Sequence, residues 1–282
     1  MLRKGFALAA LGLAVLLAGP ASAATTKEEP KDIHWSFEGP LGKFDQAQLQ
    51  RGYKVYREVC SSCHPMNLLH FRNLGDKGGP FYDPKYPNPN NNPRVKAIAK
   101  DYQFDDIDSE TGDTVKRPGT AADTFPKPFP NEPAARASNG GALPPDLSDM
   151  AKAREGGAAY IYSILTGYET PPAGLTVSPG KYYNPYFPGD LGSFWKGAAD
   201  KTPTGGFIGM PPPLADGKVT FDDDTKSTVA NEARDVAAFL TWASEPKMEE
   251  RKSFGLAAMI YLVIFSGLLW FSYKRIWRNV AH

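Results

Sequence analysis

The chain has 282 residues and a formal net charge of +1, with 41% hydrophobic and 22% charged residues. Its 27 glycines and 26 prolines argue against a second large core, so one globular domain with extended loops and short terminal segments is expected. The near-neutral charge leaves no basic excess for binding phosphate backbones, and no nucleic-acid partner is expected.

Arg3 and Lys4 precede an apolar run from Phe6 to Ala18 and a small-residue site, Ala21-Ser22-Ala23. The pattern predicts a signal peptide over 1–23, cut before Ala24 and excluded from the fold; the run is short for a bilayer helix. After a polar segment, Thr25 to Asp32, a helix is predicted from about Asp45 to Val59. Leu49, Tyr53, Tyr56 and Cys60 recur at i, i+4, i+7 and i+11 on one face, and Asp45 is a suitable cap. Gly52 costs such a helix roughly 1 kcal/mol against alanine, which suggests close approach of a second helix there.

That helix delivers Cys60-Ser61-Ser62-Cys63-His64, the Cys-x-x-Cys-His pattern of covalent c-type haem attachment. Two thiols at this spacing can each form a thioether to one porphyrin edge, and His64 can then ligate the iron from one face. These are the only two cysteines in the chain, so neither has a competing partner. A redox disulfide would call for a thioredoxin-like βαβ pattern nearby, and none is found. A zinc site would need a second Cys pair or a His-x3–5-His pair, which His34, His70 and His282 do not form. Haem attachment also agrees with export.

From Gly75 to about Pro133 the chain is rich in Pro, Gly, Asn and Asp, and only Arg94 to Tyr102 is suited to a short helix. A stretch this long is either functional or mobile. Ala142-Leu143-Pro144-Pro145-Asp146-Leu147-Ser148 then leads into a predicted helix from Ala151 to Thr166, with Tyr160, Ile161, Ile164 and Leu165 on its apolar face and Gly167 as its stop. Residues 168–213 read as loop, carrying nine prolines. A last helix of the exported domain is predicted from Ser227 or Thr228 to Ser244, with Val229, Ala233, Val236 and Leu240 on its buried face. Few strands are expected, and the fold class is all-α.

A charged linker, Lys247 to Lys252, precedes twenty uncharged positions from Phe254 to Tyr273. That length crosses a bilayer, with Trp270 and Tyr273 as interfacial aromatics and Lys274, Arg275 and Arg278 as a cytoplasmic flank. The expected organisation is therefore a signal peptide (1–23), a periplasmic haem domain (24–252), a membrane anchor (253–273) and a cytoplasmic tail (274–282). Setting aside the five basic residues of the signal and C-terminal segments leaves 27 basic against 31 acidic residues in the exported domain. Asp105, Asp106, Asp108, Glu110 and Asp113 form one acidic cluster and Asp222 to Asp224 another, read either as solvated loops or as a docking surface for a basic soluble partner.

A haem held by His64 keeps a sixth position whose occupant separates electron transfer from ligand chemistry, and a thioether there favours electron transfer. Met66, Met150, Met210 and Met248 are the candidates in the exported domain. Met66 is too near His64 to cross to the opposite face, Met150 starts a helix and Met248 lies in the linker. Met210 sits in Gly205-Gly206-Phe207-Ile208-Gly209-Met210-Pro211-Pro212-Pro213, where glycines permit close approach to a flat ring and prolines stiffen the loop. Met210 is the favoured ligand; a gap-filling core Met is the competing reading.

The stretch Gly52-x3-Tyr56-x3-Cys60-x2-Cys63-His64 resembles the N-terminal helix of class I cytochromes c, whose glycine and aromatic cross a C-terminal helix, here Asp235 to Ser244. More specifically, the mature chain resembles the cytochrome c1 family of the cytochrome bc1 complex. The matching motifs are Ala142 to Ser148, Leu165-Thr166-Gly167-Tyr168, Tyr183-Asn184-Pro185-Tyr186-Phe187-Pro188-Gly189, Ile208 to Pro212 and the tail anchor. The resemblance implies a class I cytochrome c-like haem domain with long loops and one C-terminal membrane helix. It implies one haem c held by Cys60 and Cys63, with His64 and Met210 as axial ligands and Arg136 and Pro145 beside the cofactor, Arg136 toward a propionate. It further implies electron transfer from a Rieske iron–sulfur protein to a soluble or membrane-attached cytochrome c, with cytochrome b beside the anchor. Some bacterial members carry an additional disulfide, for which this chain has no cysteines left. Two competing readings are a different membrane-anchored monohaem cytochrome and a haem enzyme or gas sensor with an open distal site.

Overall fold

A computed structural model describes residues 27–279, so the expected signal peptide lies outside the described residues. Its regular structure is mostly helical. Helix α1 (Gln46–Glu58) is followed by the 3-10 turn Cys60–Ser62, helix α2 (Pro93–Lys100) and a ribbon of β1 (Gln103–Ile107) with β2 (Thr114–Pro118). Then come α3 (Glu132–Ser138), α4 (Met150–Ala153), α5 (Gly157–Thr166), β3 (Tyr182–Asn184), β4 (Gly206–Ile208), α6 (Val229–Ser244) and α7 (Met248–Trp277).

The core forms where α1 crosses α6. Asp45 caps α1 as expected, its side chain accepting from the backbone N–H groups of Ala47 and Gln48. Gly52 lies at the crossing: a Cβ there would stand 2.1 Å from the Asp235 carbonyl oxygen and 2.7 Å from Phe239 Cβ. The glycine lets two backbones touch, and Tyr53 and Tyr56 on one side pack their rings against Phe239. Phe239 stacks in turn on Trp242, while Phe125 joins the cluster to Phe71. The crossing also buries a charge pair. Asp235 is 3% exposed, accepts from Arg51 Nε at 2.7 Å and is bonded by Gln48 Nε2 at 3.1 Å.

The predicted helix Ala151–Thr166 is two helices. Gly156 and Gly157 adopt φ of +85° and +49°, which a continuing right-handed helix cannot contain, and the chain breaks between α4 and α5. The break presses Gly156 onto Pro30 of the N-terminal segment. Strands are also present within the stretches read as loop. β1 and β2 pair antiparallel from Gln103↔Pro118 to Ile107↔Thr114, and β3 and β4 pair through Tyr182↔Ile208, Tyr183↔Phe207 and Asn184↔Gly206. The second ribbon carries its own small cluster of Leu175, Tyr183 and Leu191, with Trp195 and Phe207 packed on it.

Helix α7 is long and apolar enough to cross a membrane, and its most apolar window packs against nothing in the described residues. It begins at Met248, so the expected linker is its first turn and a half. That start is fixed by the domain: Met248 is buried in the main core, the Phe44 N–H donates to Glu249 and Lys252 Nζ donates to the Phe37 carbonyl.

Candidate functional site

The Cys-x-x-Cys-His stretch leaves α1 in one tight turn, with the N–H groups of Cys63 and His64 both donating to the Cys60 carbonyl. Cys60 and Cys63 carry free, half-buried thiols. Burial first, and then the neighbouring Cys63, pushes the Cys60 thiol up to about 12. A disulfide-exchange cysteine needs a depressed value, so the redox-thiol reading finds no support.

The His64 ring is fixed from outside its own loop. Its Nδ1 lies 2.9 Å from the Pro145 carbonyl oxygen, which can only accept, so Nδ1 carries the proton and Nε2 presents a lone pair. Burial lowers the His64 pKa, against an opposing effect of that hydrogen bond, and so favours the neutral ring. Neutral imidazole with its second nitrogen bonded to a carbonyl is the form that ligates a metal.

The segment bearing Pro145 is itself laced to the chain after His64. The Leu147 N–H donates to the Pro65 carbonyl, the Asn67 N–H to the Asp146 carboxylate and the Leu68 N–H to Ser148 Oγ. Its upstream end meets the Met210 loop, for a Cβ on Gly209 would stand 3.0 Å from Ala142 Cβ. Arg136 joins there too: the Gly141 N–H donates to its carbonyl, and its guanidinium donates to the Gly141 carbonyl at 3.2 Å. Arg136 is exposed and has no carboxylate partner among the described residues, which leaves its charge available. One segment thus touches His64, the Met210 loop and Arg136.

The other methionines are committed elsewhere. Met66 is 0% exposed in the core, Met248 is buried there and Met150 packs against it. Met210 is half-buried and belongs to neither hydrophobic cluster of the described residues, and its carbonyl accepts from Tyr168 Oη at 3.0 Å. The residues therefore fit a haem: two free thiols, an imidazole whose Nδ1 is held by a carbonyl, a thioether outside the packed cores and a guanidinium with no carboxylate partner among the described residues.

The sequence presents Tyr168 only inside a motif. It presents Pro145 as a site residue, but the contact is made by the backbone carbonyl, which has no sequence signature. Half of the acidic side chains in the two clusters are paired: Asp105 with Lys116, Asp106 with Arg117, Asp222 with Lys54 and Asp223 with Arg51.

A model of the Cytochrome C1 family matches residues 35–280. The chain is 41% identical to a cytochrome b/c1 of Bradyrhizobium diazoefficiens over 98% of its own length, spanning 41% of that longer protein. It is 38% identical to a cytochrome c1 of Rhodospirillum rubrum, covering 98% of this chain and 97% of that one. It is 44% identical to a mitochondrial cytochrome c1, heme protein, of Kluyveromyces lactis, covering 81% and 69% respectively. A match of this extent, on a site whose side chains fit a haem, shows that the chain belongs to the cytochrome c1 family, whose proteins carry a single covalently attached c-type haem.

Proposed function

We propose that the chain is the membrane-anchored haem subunit of a cytochrome bc1 complex, a ubiquinol:cytochrome c oxidoreductase, relaying single electrons from a Rieske iron–sulfur protein to a soluble or membrane-attached cytochrome c. Bound haem c supplies a one-electron couple. Cys60 and Cys63 would hold it covalently, and the His64 imidazole and the Met210 thioether would be the donors to its iron. The Pro145 carbonyl orients the His64 ring so that Nε2 is offered, and Arg136 is placed to oppose a propionate. One electron would pass for each reduced iron–sulfur cluster oxidised and each ferric cytochrome c reduced. The chain itself makes and breaks no bond.

The observation that supports this reading is that residues 142–148 meet both His64, through the Pro145 carbonyl, and Gly209 beside Met210, because an imidazole and a thioether held by one segment would suit electron relay rather than ligand binding. The apolar length of α7 supports a single-pass anchor beside cytochrome b, with the haem domain on the periplasmic side of a bacterial inner membrane. With four acidic side chains paired locally, Asp108, Glu110 and Asp113 at the turn of the first ribbon are the better candidates for attracting a basic carrier.

The test is purification from detergent-solubilised membranes followed by rapid reduction with quinol. The chain should co-purify with b-type haem and a Rieske centre, and its haem should be reduced within turnover. Haem that stays oxidised while the other centres turn over would contradict the proposal.

A further inference from the structure

Met210 is followed by Pro211, Pro212 and Pro213, none of which has a backbone N–H to donate. It is preceded by Gly209, which has no side chain to pack. The backbone of the loop must therefore be held by groups outside it. Two such groups come from around the end of α5. Tyr168 Oη donates to the Met210 carbonyl at 3.0 Å, and the Ile164 carbonyl accepts from the fully buried Asn184 Nδ2 at 2.8 Å. Asn184 is in β3 and pairs with Gly206 of β4, the strand that runs into Gly209 and Met210. Gly167 closes the joint, since a Cβ there would stand 2.4 Å from the Tyr186 ring.

We infer that Tyr168 is a positioning residue for Met210, its hydroxyl holding the carbonyl of that residue against the end of α5 so that the thioether stays on the haem iron. This rests on the reading of Met210 as the axial ligand. A thioether is a weak donor, and its occupancy depends on how little the backbone beneath it moves. The Asn184 bond fixes the ribbon, whereas the Tyr168 bond acts on the ligand residue itself.

The experiment uses the full-length, haem-loaded chain in its detergent-solubilised membrane complex and compares wild type, Tyr168→Phe and Met210→Leu. Each is first checked for covalent haem content and near-ultraviolet circular dichroism. The readouts are carbon monoxide binding to the reduced haem, the ferric charge-transfer band of thioether ligation and the midpoint potential. Wild type should bind carbon monoxide only weakly, at high gas pressure, and Met210→Leu should bind it fully. Tyr168→Phe should keep its haem and fold yet raise carbon monoxide affinity about fivefold, the effect expected of one lost hydrogen bond. It should also weaken the charge-transfer band and lower the potential. If Met210→Leu binds carbon monoxide while Tyr168→Phe matches wild type in all three readouts, Tyr168 does not position the ligand. If Met210→Leu fails to bind it, the ligand reading fails and the inference falls with it.

Discussion

The two sides of the proposed haem site are built to different standards. His64 follows directly from α1, which crosses α6 without a gap at Gly52 and shares with it a continuous aromatic core. Met210 follows β4, a three-residue strand backed by one small cluster of its own; its partner strand β3 is tied to α5 by the Asn184 bond, and Met210 itself to Tyr168 just beyond that helix by one more. Local stability follows buried apolar contact and protected backbone bonds, so the Met210 side should open at lower free energy than the His64 side. The proposed imidazole ligand rests on the core and the proposed thioether ligand on a clasp.

The largest break in this contrast is expected at the helix crossing. Gly52→Val forces side-chain atoms into the Asp235 backbone and should destabilise the protein by more than about 3 kcal/mol, seen as loss of haem-loaded protein from membranes. Asp235→Ala should cost about 3 kcal/mol, because Arg51 would lose its buried partner while keeping Asp223; a guanidinium unfolding midpoint reads it. On the other side, Asn184→Ala leaves the buried Ile164 carbonyl without its donor and should cost about 1–3 kcal/mol. Its damage should fall on residues 182–210, where hydrogen exchange would rise while α1 and α6 keep their protection.

The smallest effect is electrostatic and separate from both sides. Arg117 holds the Asp123 carboxyl well below the usual carboxylate range, chiefly by a paired hydrogen bond. A carboxyl lowered by folding stabilises at pH values above its unfolded pKa, about 3.9, and loses that contribution as pH falls through the folded value. The stability difference between wild type and Asp123→Asn should therefore be constant from pH 7 to pH 5 and shrink only below about pH 4. A difference that already fades at pH 6 would show that the pair is not what sets it.

The same contrast governs what could be read from the residues alone. The His64 side was legible because its determinants are local: an N-cap at Asp45, a buried stripe on α1, a glycine whose cost implied a partner helix and a spaced thiol pair. The Met210 side was read as loop. Its ribbon joins strands of three residues across an intervening stretch, too short and too far apart for alternation to register. Apolar periodicity alone runs through the adjacent Gly156 and Gly157 from Ala151 to Thr166, whereas both take positive φ and break the helix. The Pro145 carbonyl and the Tyr168 hydroxyl act across 81 and 42 positions, and such partners exist only after folding.

The most direct test of the unequal support is guanidinium titration of the reduced, haem-loaded protein under carbon monoxide, following haem absorbance and near-ultraviolet circular dichroism together. Carbon monoxide should bind, reporting loss of Met210, at a clearly lower denaturant concentration than the loss of the aromatic signal from around Phe239 and Trp242. Coincident transitions at one midpoint would contradict the account, because both ligands would then be held by a single cooperative unit.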